Sequence, residues 1–131
     1  MANINESAAV KAVTDKEVSE ILRKIGIPCN LKGFDMIKSA ILLIISDKSK
    51  YSAVTKDIYP VLAKQFDTNT SLIERSIRTS IIRAFDYTNP KVIDEIFGNC
   101  YDSEKGNPTN SEFLFTVAEY LKYKAEDENN E

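Results

Sequence analysis

The side chains best suited to chemistry lie between positions 71 and 78 of this 131-residue chain. Ser71, Glu74, Arg75 and Arg78 carry the donors and acceptors that recognise the bases of duplex DNA. Arginine donates two parallel hydrogen bonds to guanine, glutamate accepts one from cytosine, and serine bonds to a base or a phosphate. Base recognition requires these four side chains to share one exposed face.

A helical wheel predicts such a face. With a step of 100° per residue, the side within about 80° of Ile73 is apolar and contains Ile77, Ser80, Ile81 and Ala84. The opposite side contains Ser71, Arg75, Arg78, Thr79 and Ile82, with Leu72 and Glu74 at its two edges. The same pattern also has explanations that do not involve DNA. The arginines could simply be solvated, Glu74 could form an ion pair with Arg78, or Glu74 could cap the helix together with Ser71.

The composition excludes most familiar catalytic centres, because the chain has no His and only two Cys. Without His there is no Ser-His triad and no His acid–base pair, and two thiols cannot complete a structural zinc site. We therefore expect neither an enzyme nor a metal or other cofactor. Cys29 and Cys100 are expected to be buried, reduced residues, with a disulfide as the less favoured alternative.

The charge is distributed unevenly along the chain. The net charge is -3, which disfavours binding to phosphate. From Lys48 to Lys91, however, eight basic residues accompany four acidic ones, whereas only three basic residues accompany ten acidic ones from Val92 to the C terminus. The basic block contains the predicted face, although basic residues also serve simply to solvate helices.

Apolar residues recur at helical spacing, and no segment alternates as a strand does. The pattern predicts an all-α fold of about six helices, forming a compact bundle around a helix-turn-helix. Capping boxes mark two helix starts at Thr14 and Thr109, and Asn89-Pro90 marks another. The first predicted helix ends at Gly26, and the second follows Gly33. The third spans 55–66, with Pro60 in its first turn or at a kink, and the fourth runs from 70 or 71 to about 87. The fifth ends at Gly98, and the sixth ends near 124.

The polar stretch 67–70 joins the third predicted helix to the fourth. Two helices joined by a short turn, the second of them basic, form the outline of a helix-turn-helix, whose second helix lies in the DNA major groove. The outline alone leaves DNA binding open, because many α proteins with this geometry do not bind DNA.

The ordered domain is expected to span 14–124, between a flexible N-terminal arm, 1–13, and a disordered acidic tail, 125–131. The apolar run 40–45 is too short to cross a bilayer. The N terminus lacks the basic start of a signal peptide. We therefore expect a cytoplasmic protein without membrane contact.

Eight motifs, in order along the chain, resemble the C-terminal DNA-binding domain of the sporulation initiation response regulator, over residues 21 to 124. They are Gly26-Ile27-Pro28, Lys32-Gly33-Phe34, Ala40-Ile41, Val54-Thr55-Lys56, Ile58-Tyr59-Pro60, Ile73-Glu74-Arg75, Ile77-Arg78 and Pro108-Thr109-Asn110-Ser111-Glu112-Phe113. That family's six-helix effector domain binds duplex promoter sites and activates or represses transcription. The resemblance therefore implies a sequence-specific transcription regulator whose partner is double-stranded DNA.

The resemblance also implies site residues. Contacts to bases or phosphates are implied for Ser71, Glu74, Arg75 and Arg78, and backbone positioning for Thr55, Lys56 and Thr70; we assign Thr79, on the exposed face, to backbone positioning as well.

Three positions depart from the family pattern. Leu72 stands where the family typically has Arg, Tyr87-Thr88 where it has a basic residue and Gly, and Asn107 where it has Lys. Each change weakens the attraction to phosphate or alters the base preference, so the family's target site is not carried over.

The family's usual member carries a receiver domain in front, and here only about twenty residues precede the matching region. We therefore expect an effector domain without a receiver, and its starting Met favours a complete small protein over an excised domain. The family's use of tandem sites implies a dimer on DNA. The alternative is a protein-interaction module that pairs with a full-length relative or with RNA polymerase, through its sigma subunit, without strong DNA binding. Leu72, Ile82 and the acidic C-terminal third favour that alternative.

Overall fold

A computed structural model of the chain describes residues 13–98 and 106–129. This part of the chain contains six α-helices and no strand, which confirms the all-α prediction. The helices are α1 (Asp15–Ile25), α2 (Lys32–Ser46), α3 (Tyr59–Gln65), α4 (Thr70–Tyr87), α5 (Pro90–Ile96) and α6 (Asn110–Asn129). A π-helical segment, Val54–Ile58, runs directly into α3.

The predicted helix starts are confirmed by hydrogen bonds. The Thr14 hydroxyl accepts from the backbone N–H of Glu17 at 3.2 Å, and the Glu17 carboxylate accepts from the N–H of Thr14. Thr109 and Glu112 form the same reciprocal pair at the start of α6. These contacts satisfy backbone donors that a helix cannot satisfy internally.

Helix α2 is the centre of the core and packs mainly against α4 and α6. Its apolar residues are buried along most of its length because its apolar stripe is wide. At the far end of α4, Phe85 packs edge-to-face on Phe97 and Phe113, with ring centroids 5.6 and 6.3 Å apart. These ring contacts hold the C-terminal end of α4 against the core.

Gly33 lies inside α2 rather than before it, because the helix begins one residue earlier, at Lys32. A Cβ atom at Gly33 would lie 2.0 Å from the Ser80 Oγ and 2.6 Å from the Ser76 carbonyl oxygen of α4. No side chain fits in this space. The glycine therefore permits α2 and α4 to approach closely.

The helix-turn-helix comprises α3, a four-residue turn and α4. Pro60 lies in the first turn of α3, directly after the π-helical segment, which confirms the first of the two placements predicted for it. The turn bends at Asp67, whose φ of 53° is left-handed, and the N–H of Thr68 returns to the Ala63 carbonyl at 2.8 Å. Aspartate tolerates this conformation better than most residues do, so the polar turn ends α3 cleanly.

Two expectations about the ends and the cysteines are wrong. Helix α6 continues to Asn129, and Ala125 is only 3% exposed, so residues 125–129 are helical rather than a disordered tail. The reason is that Ala125 follows Leu121 by four residues and extends the buried stripe despite its acidic neighbours. Cys29 is exposed rather than buried, because it lies in the turn after α1.

Three predictions concern residues that the structure does not describe. They are the flexible arm over residues 1–12, the reduced state of Cys100 and the acidic tail at residues 130–131. Val13, assigned to the N-terminal arm, packs against the core. In the described part of the chain, no helix is both long and apolar enough to cross a membrane.

Candidate nucleic-acid interface

The two faces of α4 are those that the helical wheel predicts. Its buried side contains Ile73, Ile77, Ser80, Ile81 and Ala84. Its exposed side contains Ser71, Arg75, Arg78, Thr79 and Ile82. The side chains suited to base recognition therefore point away from the core.

An open groove of about 420 Å³ lies between the start of α4 and the chain leading into α3. We call it the α4 groove, and its lining residues are Thr55, Tyr59, Thr70, Ser71, Glu74, Arg75 and Arg78. Six of the eight residues selected from the sequence line this one surface. The structure thus brings together side chains from the segment before α3 and from the first half of α4.

The other two selected residues lie outside the groove. Lys56 is exposed on the π-helical segment, directly after the groove residue Thr55. Thr79 is exposed on α4, one residue beyond Arg78. Neither side chain lines the α4 groove.

Glu74 and Arg78 form an ion pair across one turn of α4. The side chain of Arg75, by contrast, makes no ion pair or hydrogen bond with the described residues. The cap at the start of α4 is Asn69, whose side-chain oxygen accepts from the Leu72 N–H at 2.9 Å. The cap that we considered for Glu74 and Ser71 is therefore not formed, and the Glu74–Arg78 pair is.

Tyr59 lines the α4 groove and is hydrogen-bonded by Asn110, and neither residue was predicted as a site residue from the sequence. The Asn110 amide donates to the Tyr59 hydroxyl at 2.9 Å and to the Glu74 carbonyl oxygen at 3.0 Å. It thereby ties the start of α6 to both α3 and α4. Burial raises the pKa of Tyr59, which is only 5% exposed. A buried tyrosine hydroxyl needs a hydrogen-bond partner. The presence of Tyr59 on the apolar side of its helix was therefore the signal in the sequence that a polar side chain must contact it.

A second groove, of about 480 Å³, continues from the first along α4. The two grooves share Thr55, Tyr59, Glu74 and Arg78, and the second adds Val54, Ile82 and residues 107–111 at the start of α6. The capping motif of α6 therefore borders the same surface as the predicted recognition residues.

A turn linking two helices, the second with a polar, basic outer face, places the chain in the helix-turn-helix class of domains. Within that class, the family model "Sporulation initiation factor Spo0A C terminal" matches residues 18–121. The chain therefore belongs to this family, as its motifs predict. The family consists of DNA-binding regulatory domains, the effector domains of sporulation response regulators, and is not a family of enzymes.

Proposed function

We propose that this chain binds specific sites in double-stranded DNA and regulates transcription from them, with α4 in the major groove. The observation that carries the proposal is the convergence of Thr55, Ser71, Glu74, Arg75 and Arg78 on one open groove of a helix-turn-helix. Duplex DNA presents complementary donors and acceptors in its major groove. Family membership supports DNA as the partner.

The proposed contacts divide into two groups. Ser71, Glu74, Arg75 and Arg78 read base edges, because the first turns of a recognition helix face them. Thr55, Lys56, Thr70 and Thr79 contact the sugar-phosphate backbone and fix the register of α4 on the duplex.

Selection from a random pool of duplexes, followed by a titration of binding at several salt concentrations, tests this proposal. We expect an enriched sequence, and a log affinity that falls with log salt by about 0.9 per neutralised phosphate. Absence of saturable, sequence-dependent binding at low salt would contradict it. A dimer on tandem sites is recognised in the same assay by cooperative binding to two spaced copies of the enriched sequence.

A protein-interaction role is the second candidate, favoured by two exposed aliphatic residues of α4. Leu72 is 38% exposed and Ile82 is 42% exposed. In this role the chain contacts a full-length relative or the sigma subunit of RNA polymerase. Recovery of such a partner by a preparation that shifts no duplex would favour this candidate over DNA binding.

A further inference from the structure

We propose that Leu72 is a specificity-determining residue that reads thymine by contact with its 5-methyl group. The inference rests on the proposed DNA-binding function and names one element of the sequence it recognises. Its basis is the position of an exposed aliphatic side chain among the polar groups at the start of α4.

The position of Leu72 is fixed by the structure. It is the third residue of α4, and its backbone N–H donates to the Asn69 cap at 2.9 Å. Leu72 lies beside the α4 groove rather than in it. It lines a separate depression together with three residues of α2 and three of the turn, namely Lys32, Asp35, Met36, Phe66, Asp67 and Thr68. With 38% of the residue exposed, Leu72 is both anchored and accessible.

Along the first turns of α4, Leu72 lies between side chains that are proposed to read bases. Ser71 precedes it, and Arg75 follows it by one helical turn; both are exposed. A helix that docks through its first turns brings these residues to the base edges together. Leu72 has no donor or acceptor to offer, and the thymine methyl is the apolar group that the major groove presents.

Ile82 is the matched control for this inference. It is aliphatic, lies on the same helix and is exposed to a similar extent, at 42%. It lies ten residues further along α4, about 15 Å at 1.5 Å per residue. Ile82 is therefore outside the first turns that contact bases.

Replacement of thymine by deoxyuridine removes only the 5-methyl group and tests the inference directly. In the duplex selected by the wild-type chain, each thymine is replaced in turn and the Kd is measured. We expect an approximately fourfold weakening at one or two adjacent positions, the effect of burying one methyl-sized group. For Leu72→Ala the effect at those positions should fall below about twofold, whereas Ile82→Ala should retain it.

The outcomes separate the inference from the proposed function. Saturable binding without any methyl-sensitive thymine, or the same sensitive thymine in Leu72→Ala, overturns the role of Leu72 and leaves DNA binding intact. Failure to select any duplex overturns both, and it is seen before any uridine is introduced. If Leu72→Ala fails to fold by circular dichroism, Leu72→Gln replaces it, since glutamine preserves length and helix propensity. The inference is also overturned if Leu72→Ala no longer binds a protein partner while its Kd values respond to deoxyuridine as those of the wild type do. That result would assign Leu72 to protein docking.

Discussion

The Glu74 carboxylate and the Arg78 guanidinium are paired on the exposed side of α4, within the surface proposed to read bases. The pair holds Arg78 in place but also screens its charge. Arg75, one residue from Glu74, has no such partner among the described residues. In the proposed complex with DNA, Arg78 would therefore have to leave or share its carboxylate partner, whereas Arg75 would not.

Glu74→Gln should lower discrimination between DNA sequences. The substitution releases Arg78 and removes a negative charge that repels phosphate, so binding to random duplexes should become tighter. The glutamine amide can present either a donor or an acceptor, whereas the carboxylate only accepts. The variant should therefore weaken the selected site relative to random DNA by about tenfold, within the usual range for one base contact. Competition titrations with both duplexes measure this ratio. Glu20→Gln, on the exposed side of α1, removes the same charge elsewhere and should leave the ratio unchanged.

Arg75→Ala and Lys56→Ala should weaken binding in different ways. Loss of Arg75 should cost about 1–3 kcal/mol on the selected duplex and relax the preference at one base pair. Loss of Lys56 should weaken binding to every duplex alike and reduce the salt slope by about 1. Anisotropy titrations at several salt concentrations separate the two effects. An equal loss from both variants on all duplexes would contradict this division of roles.

The buried face of α4 was predictable from the sequence because the spacing of Ile73, Ile77 and Ile81 alone determines which side meets the core. Capping motifs were predictable for a similar reason, since both partners lie within three residues of each other. Local periodicity and local hydrogen bonding thus determine the helices and the exposed face of the site.

Features that depend on contacts between distant segments were not predictable in the same way. The bonds from Asn110 to Tyr59 and Glu74 join residues 51 and 36 positions apart. The packing of Gly33 on Ser80 likewise exists only in the folded chain. The helical end of α6 was mispredicted because composition indicated disorder, whereas the burial of Ala125 favours helix.

Asn110→Ala should reduce stability without changing sequence preference. The variant loses two hydrogen bonds, which together contribute about 1–3 kcal/mol to the free energy of unfolding. Tyr59→Phe removes one of them and should cost about half as much. Urea denaturation measures both changes. A change in the ratio of specific to random binding, at a temperature where the variant is folded, would instead indicate a direct DNA contact for Asn110.

Gly33→Ala should destabilise the fold by about 1–3 kcal/mol, because the new methyl group overlaps the Ser80 hydroxyl and the Ser76 carbonyl. The double variant Gly33→Ala/Ser80→Ala should recover only part of this loss. Removal of the hydroxyl relieves one overlap, but the backbone carbonyl at 2.6 Å remains. Urea denaturation of the single and double variants measures the coupling. Full recovery in the double variant would show that the Ser76 carbonyl does not limit how closely α2 approaches α4.

Tyr120 and Glu95 should make the fold sensitive to alkaline pH. The Tyr120 hydroxyl donates to the Glu95 carboxylate at 2.5 Å, and Lys24 donates to the same carboxylate at 3.1 Å. Burial, together with the hydrogen bond to Glu95 and its negative charge, raises the pKa of Tyr120 to about 12 from its ordinary 10.0. The folded chain therefore retains the Tyr120 proton at a pH where the unfolded chain has lost it.

The sign of the effect follows from proton linkage. Between pH 10 and pH 12 the unfolded state binds fewer protons than the folded state at Tyr120, so the free energy of unfolding falls as the pH rises. Tyr120→Phe should be less stable than wild type at neutral pH, because Glu95 loses a donor, but the difference should narrow across this range. Tyr123→Phe, at an exposed tyrosine of the same helix, should follow the wild-type curve. Urea denaturation at a series of pH values tests the prediction, and parallel wild-type and Tyr120→Phe curves would contradict it.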